Sequence, residues 1–297
     1  MNYTDFKDSV LSSLRAAFGP DVTFSVSDII KNNDTHLDGL TMLGTGRNLS
    51  PTLYLNHYYR QYQNKRPFSD IVADIRAVFL EHQTKGPIDV SFFTDYTRVK
   101  SRIIFKLVNY ARNRELLERV PHYRFLDLAI VFNCLLESGS SGTATILIHH
   151  QHLDYWHITK DDLYALARIN TPALLTSELH SMTEIIADLF PNDASALLSE
   201  AAEASFLYVL TNQHKLNGSV CILYRHLLKD IADRMKSDLY ILPSSVHEVL
   251  LIPASDRTAA SDLTDMVRDV NTTQLAQEEI LSDHVYYFSR TANRISM

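Results

Sequence analysis

RHLLKDIADRMKSDLYILPSSVHEVLLIP, residues 225–253, reads as one helix followed by two strands. RHLLKDIADRMK is the helical stretch, DLYILP and VHEVLLIP are the short apolar runs, and Pro243-Ser244-Ser245 connects them. Just upstream, LYVLTNQHKLNGSVCILY (207–224) holds two apolar runs around a polar centre that ends in Asn217-Gly218. Both of those residues tolerate positive φ, so the spacing predicts a hairpin or another tight connection there. Downstream, AASDLTDMVRDVN reads as a helix and HVYYFS as a last strand.

Outward from this series the same mixture continues. Phe6, Val10, Leu14 and Phe18 form a helical stripe that Gly19-Pro20 ends, and VTFSVSDI then reads as a strand. KNNDTHLDGL is a turn or hairpin connection, and Ser50-Pro51 predicts a helix start for PTLYLNHYYRQYQ, with serine at the N-cap and proline at the first helical position. Phe68, Ile71, Val72, Ile75, Val78 and Phe79 recur at spacings of three and four, the mark of a core-facing helix ended near Gly86-Pro87. FLDLAIVFNCLL and GTATILIHHQHLDYW read as strands joined by ESGSSG. Thr159 and Asp162 predict a capping box for DDLYALARI, which Pro172 closes, and a further helix is expected from about Ser181 to Phe190. The fold class expected is therefore α+β: mixed, largely antiparallel sheets covered by helices, in an N-terminal module of residues 1–120 and a strand-rich module of residues 121–297.

Composition narrows the function. The 297 residues are 45% hydrophobic, enough for one large core or two ordinary ones, and carry a formal charge of -7. That balance argues against a dedicated nucleic-acid binder. Residues 1–120 hold 16 basic and 13 acidic side chains, while residues 121–297 hold 12 and 22. The start lacks the basic and apolar segments of a secretory signal, and no apolar run approaches the ~20 residues of a membrane span. A cytoplasmic protein without membrane contact is expected. Cys134 and Cys221 each sit in an apolar run, where free cysteine behaves as a small buried hydrophobe, so neither a disulfide nor a thiolate zinc site is expected.

Several phrases taken together carry a resemblance: LDLAIVF, GTATILIHHQHL followed by ARINTP, LYVLTNQHKLNG, CILYRHLLKDIADRMKSDLYILPSSVHEVLLIP and LSDHVYYFSR. As a set they resemble the bacterial domain of unknown function 5688 family, over nearly the whole chain. A shorter similarity, in LYLNHYYRQYQ and PSSVHEVLL, is to the YtpQ-like proteins. Neither family supplies catalytic residues, cofactors or partners.

Five groups of residues invite a chemical reading. Asn212, Lys215 and Asn217 sit in the polar centre of 207–224, where lysine offers a point charge for an anion and the simplest reading is a turn. Ser245 and His247, two apart in a strand, share a face; a hydrolase-type site would gather them with Asn212 and Lys215 at neighbouring strand ends, although no G-x-S-x-G elbow is present. His149, His150, His152 and His157 offer ligands, and a strand would put His150, His152 and Asp154 on one face, but zinc needs three or four convergent donors. Gly44-x-Gly46 with Arg47 lacks the fuller glycine pattern of a phosphate loop. Arg98, Lys100 and Arg102 open a basic run reaching Arg119, interleaved with Tyr96, Phe105 and Tyr110, the combination that grips single-stranded nucleic acid. Phe105 is expected in the core, which separates it from those charges. The leading expectation is a non-enzymatic binding or regulatory protein, with an unknown protein partner and no cofactor or metal; the hydrolase and the single-strand binder are its competitors.

Overall fold

The computed structural model describes residues 1–44, 50–81, 91–136, 145–189, 206–243, 245–254 and 260–297. Gly46 and Arg47, the Gly86-Pro87 helix end, ESGSSG, Phe190 and Ser244 lie outside the described residues. The chain forms two compact units, Met1–Lys31 with Thr35–Phe92, and Asn32–Asp34 with Phe93–Met297.

In the first unit, α1 (Tyr3–Phe18) starts where the Asn2 side chain accepts from Asp5 N at 2.9 Å and ends at Gly19, whose φ of +78° suits glycine. Strands β1 (Val22–Lys31) and β2 (Thr35–Gly44) pair antiparallel along their whole length, and β3 (Leu53–Tyr54) adds to β2. That pairing corrects one expectation. Ser50 does not cap a helix but accepts from Met42 N at 2.9 Å, the chain runs on into β3, and helix α2 begins only at Leu55 and runs to Gln63. Sheet pairing of residues 53–54 outcompetes the local Ser-Pro signal. Helix α3 (Phe68–Glu81) buries Ile71, Ile75 and Phe79 against Phe6, Val10 and Leu14 of α1 and Leu40 of β2. Each such side chain contributes roughly 1.5–3 kcal/mol by leaving water.

The second unit continues with α4 (Tyr96–Val99), β4 (Ile103–Asn109), α5 (Arg114–Arg119), β5 (His122–Phe125), β6 (Leu128–Leu135) and β7 (Thr145–Leu147). Next come α6 (His150–Trp156), α7 (Lys160–Leu174), β8 (Ser177–Ser181), α8 (Met182–Leu189) and β9 (Tyr208–Asn212). The chain then forms α9 (Leu227–Met235), β10 (Leu239–Leu242), β11 (Val249–Pro253), α10 (Ala260–Thr273), β12 (Tyr286–Ser289) and β13 (Arg294–Ser296). Strand β6 is the centre of one sheet, with β4 on one edge and β5 and β7 on the other, so strands from both sides of Pro121 pair in it. The other sheet has the order β13-β12-β10-β11-β9-β8, antiparallel at every step. The fold is α+β. Among the described residues no helix is long and apolar enough to cross a membrane.

Three local readings give way to tertiary context here. GSVCIL (218–223) is a buried 3-10 segment instead of the second arm of a hairpin, and it starts so close to β9 that a Cβ at Gly218 would lie 2.2 Å from Thr211 Oγ1 and 2.3 Å from the His247 carbonyl. The backbone turns inward against β9. HHQHLDYW is helical from His150, and the strand among the described residues, 145–147, ends before it, so the shared strand face of His150 and His152 does not form. Pro172 lies inside α7, near enough to its end that few N–H bonds are at stake; Leu175 N then bonds Thr171 O at 2.8 Å. The Thr159–Asp162 capping box is present, with bonds of 3.2 and 2.8 Å.

The two sheets of this unit meet at the β5–β6 turn. Asp127 accepts from Ser282 Oγ at 2.6 Å, from Tyr286 OH at 2.6 Å and from His284 Nδ1 at 3.2 Å. Both hydroxyls belong to fully buried residues, so this carboxylate satisfies groups that water cannot reach.

A candidate anion-binding pocket

The residues singled out in 207–224 and 245–247 come together chiefly through backbone atoms. Asn212 is fully buried, and its amide shapes the following turn: Nδ2 donates to Leu216 O at 2.8 Å, while Oδ1 accepts from His214 N at 3.1 Å and Leu216 N at 3.3 Å. Lys215 and Asn217 supply left-handed backbone at φ +51° and +49°. The Lys215 carbonyl faces His247 Nδ1 at 3.2 Å, and buried Ser245 accepts from His247 N at 3.0 Å. Ser219 Oγ and Thr211 Oγ1 donate to the carbonyls of Val246 and His247, each at 2.8 Å.

Arg98 and Lys100 are exposed on α4 and the 3-10 turn after it, and Arg102 is half-buried at the end of that turn. Further along the basic run, Arg112 pairs with Asp283, Arg119 with Glu115, and Arg114 sits over the Tyr110 ring at 5.0 Å. Phe105 is buried, as its place in the sequence predicts. His149 N donates to His152 Nδ1 at 2.9 Å, and His152 stacks on Trp156 at 5.6 Å. Burial holds both histidines below the usual imidazole range. Among the described residues no group of three or more His, Cys, Asp or Glu is placed to hold a metal ion.

Other reactive groups are committed elsewhere. Burial pushes Cys134 up to about 11 and Cys221 up to about 12, so neither is a thiolate at neutral pH. Ser282, His284 and Asp127 have the composition of a hydrolytic triad without its geometry. The serine proton is directed at the carboxylate, not at the imidazole, and Ser282 is fully buried.

One cavity gathers charged side chains of a single sign. It measures about 500 Å³ and is built by Phe125 at the end of β5, Ile222–His226 leaving the 3-10 segment, Leu228 and Lys229 in the first turn of α9, Phe288 of β12, and Asn293–Ile295 entering β13. The local sequence explains how these elements reach one place. His226 (φ +66°) bends the chain into α9, and Asn293 (φ +49°) turns β12 into β13, setting Arg294 opposite Ser289 and Ile295 opposite Phe288. Tyr224 is anchored below by its hydroxyl, which donates to Leu175 O at 2.7 Å, and burial keeps it protonated well above the usual phenol range.

Arg225, Lys229 and Arg294 bring three positive charges to this lining, His226 adds an imidazole, and no carboxylate lines it among the described residues. Lys229 pairs with Asp233, which also accepts from Arg290 Nε at 2.7 Å. Arg225 and Arg294 have no ion-pair partner among the described residues and are exposed. In a chain of net charge -7 this is a local reversal of sign, and a concave cationic surface concentrates anions. The sequence reading missed it because Phe125, Arg225 and Arg294 are far apart in the chain; no local motif announces their meeting.

Comparison with known proteins adds one match. The model of a family of unknown function, DUF5688, matches residues 3–290. No curated protein and no solved structure matches the chain.

Proposed function

The chain belongs to that family of unknown function, DUF5688, and we propose that it is a non-enzymatic binding protein whose ligand is a small anion held between Arg225, Lys229 and Arg294. One observation carries the reading: a cavity of about 500 Å³ whose described lining holds two arginines without an ion-pair partner, a lysine and no acidic side chain. Guanidinium groups keep their charge at every accessible pH and fork onto oxyanions, so they serve capture rather than proton transfer. Unpaired cations held side by side repel one another, and an anion relieves that repulsion.

Isothermal titration of the full chain with inorganic phosphate at low ionic strength tests this. Saturable binding is expected, weakening as salt is raised because the rim charges are exposed to screening. The double variant Arg225→Ala, Arg294→Ala should bind at least about fivefold more weakly while its far-ultraviolet circular dichroism stays native, since both side chains are exposed. Equal binding by wild type and variant would place the anion elsewhere and sink the proposal.

A further inference from the structure

The pocket is graded by depth. Its floor is apolar and sealed, with Ile222, Tyr224, Leu228 and Phe288 each less than a tenth exposed. Phe125, Leu223 and Ile295 are half-buried on the walls, and Arg225, His226 and Arg294 stand exposed at the rim. A bare oxyanion would engage the rim and leave the apolar walls wet. The volume of about 500 Å³ exceeds what such an ion fills and lies in the ~300–1,000 Å³ range of small-molecule sites.

We infer that the ligand is a ring-bearing phosphate of about mononucleotide size, its phosphate at the arginine rim and its ring against Phe125 and the apolar floor. The inference rests on the anion-binding reading of this pocket and adds the chemical class. Three of the lining side chains, Phe125, Tyr224 and Phe288, are aromatic, and aromatic rings receive a flat ligand in offset or edge-on contact. Guanidinium planes stack on ring faces as well as forking onto phosphate, so Arg225 and Arg294 suit both parts of such a molecule. A phosphate monoester near neutral pH carries almost two negative charges, a better match to the two unpaired arginines than a single carboxylate.

Titration with phenyl phosphate beside inorganic phosphate separates the two claims. Phenyl phosphate is expected to bind at least about tenfold more tightly, the gain from ring burial, and Phe125→Leu should cut that advantage several-fold by replacing a ring with an aliphatic group of similar bulk. Phe125→Ala should remove most of it; if that variant unfolds, the leucine variant alone decides. Equal affinity for the two phosphates overturns the ring assignment and leaves an anion pocket standing. Full phenyl phosphate affinity in the leucine variant also overturns it, and no binding of either probe removes the underlying reading as well.

Discussion

Asn33 shows how much one side chain can hold. It is nearly buried and sits at φ +62°; its N–H donates to Asn113 Oδ1 at 2.8 Å, and its Nδ2 to Gln277 O at 2.7 Å and Ile280 O at 2.8 Å. Asn113 Nδ2 returns a bond to Asn33 Oδ1 at 3.1 Å, and the neighbouring Asp34 carboxylate accepts from Glu115 N and Leu116 N at the start of α5. Asn33→Ala should destabilise the protein by about 3 kcal/mol, from buried carbonyls left without donors and from alanine's dislike of left-handed backbone. Asn33→Gly should cost less, because it keeps the conformational freedom and loses only the bonds. Urea denaturation of both variants checks the order; a glycine variant as unstable as the alanine one would show that backbone strain plays no part. The sequence marks KNNDTHLDGL as a turn or hairpin connection, and only Asn32–Asp34 make the turn, Thr35–Leu40 belonging to β2; it holds no trace of the partners so far along the chain.

At the scale of elements, helix α6 replaces a predicted strand end. The run HHQHLDYW has no apolar alternation to hold a strand, and Leu153 and Trp156, three apart, are buried on one helical face. The helix and its N-cap leave His149 and His152 half-buried. His149 is held below the usual range by burial first and then by the charges of Arg119 and His150; His152 is lowered by burial and then by His149. With folded-state values depressed below the unfolded ~6.5, the unfolded chain binds more protons as pH falls through that range. Stability from these groups is present above pH ~6.5 and is lost as the pH drops through their folded values. Chemical denaturation between pH 8 and pH 5 should show that loss, and His152→Gln should flatten the curve. A slope unchanged by the substitution would assign the pH dependence to other groups. By contrast α1, α3 and the capped start of α7 are legible in the sequence, because stripe, cap and breaker lie within a few residues of one another.

For the whole molecule, the joint between the two sheets of the larger unit depends on Asp127. Asp127→Ala would leave the buried hydroxyls of Ser282 and Tyr286 without an acceptor, a loss of about 4 kcal/mol summed over charge-assisted bonds and unpaired groups. Asp127→Asn retains one acceptor oxygen and should fall between it and wild type. Denaturation midpoints in that order support the joint; an alanine variant as stable as wild type would refute it. The same meeting of sheets supplies the pocket, since β5 brings Phe125 while β12 and β13 bring Phe288, Arg294 and Ile295. By itself the sequence determined the α+β class, the apolar stripes and strands, the buried cysteines and many turns, because each depends on periodicity and on φ preferences of residues close in the chain. Only the tertiary structure decided that residues 218–223 form a 3-10 segment, that Asn212 and Ser245 satisfy backbone groups, and that Arg225 and Arg294 share a cavity. Those outcomes depend on burial and hydrogen-bond satisfaction between residues distant in sequence, and these are energies of the folded assembly that no local pattern encodes.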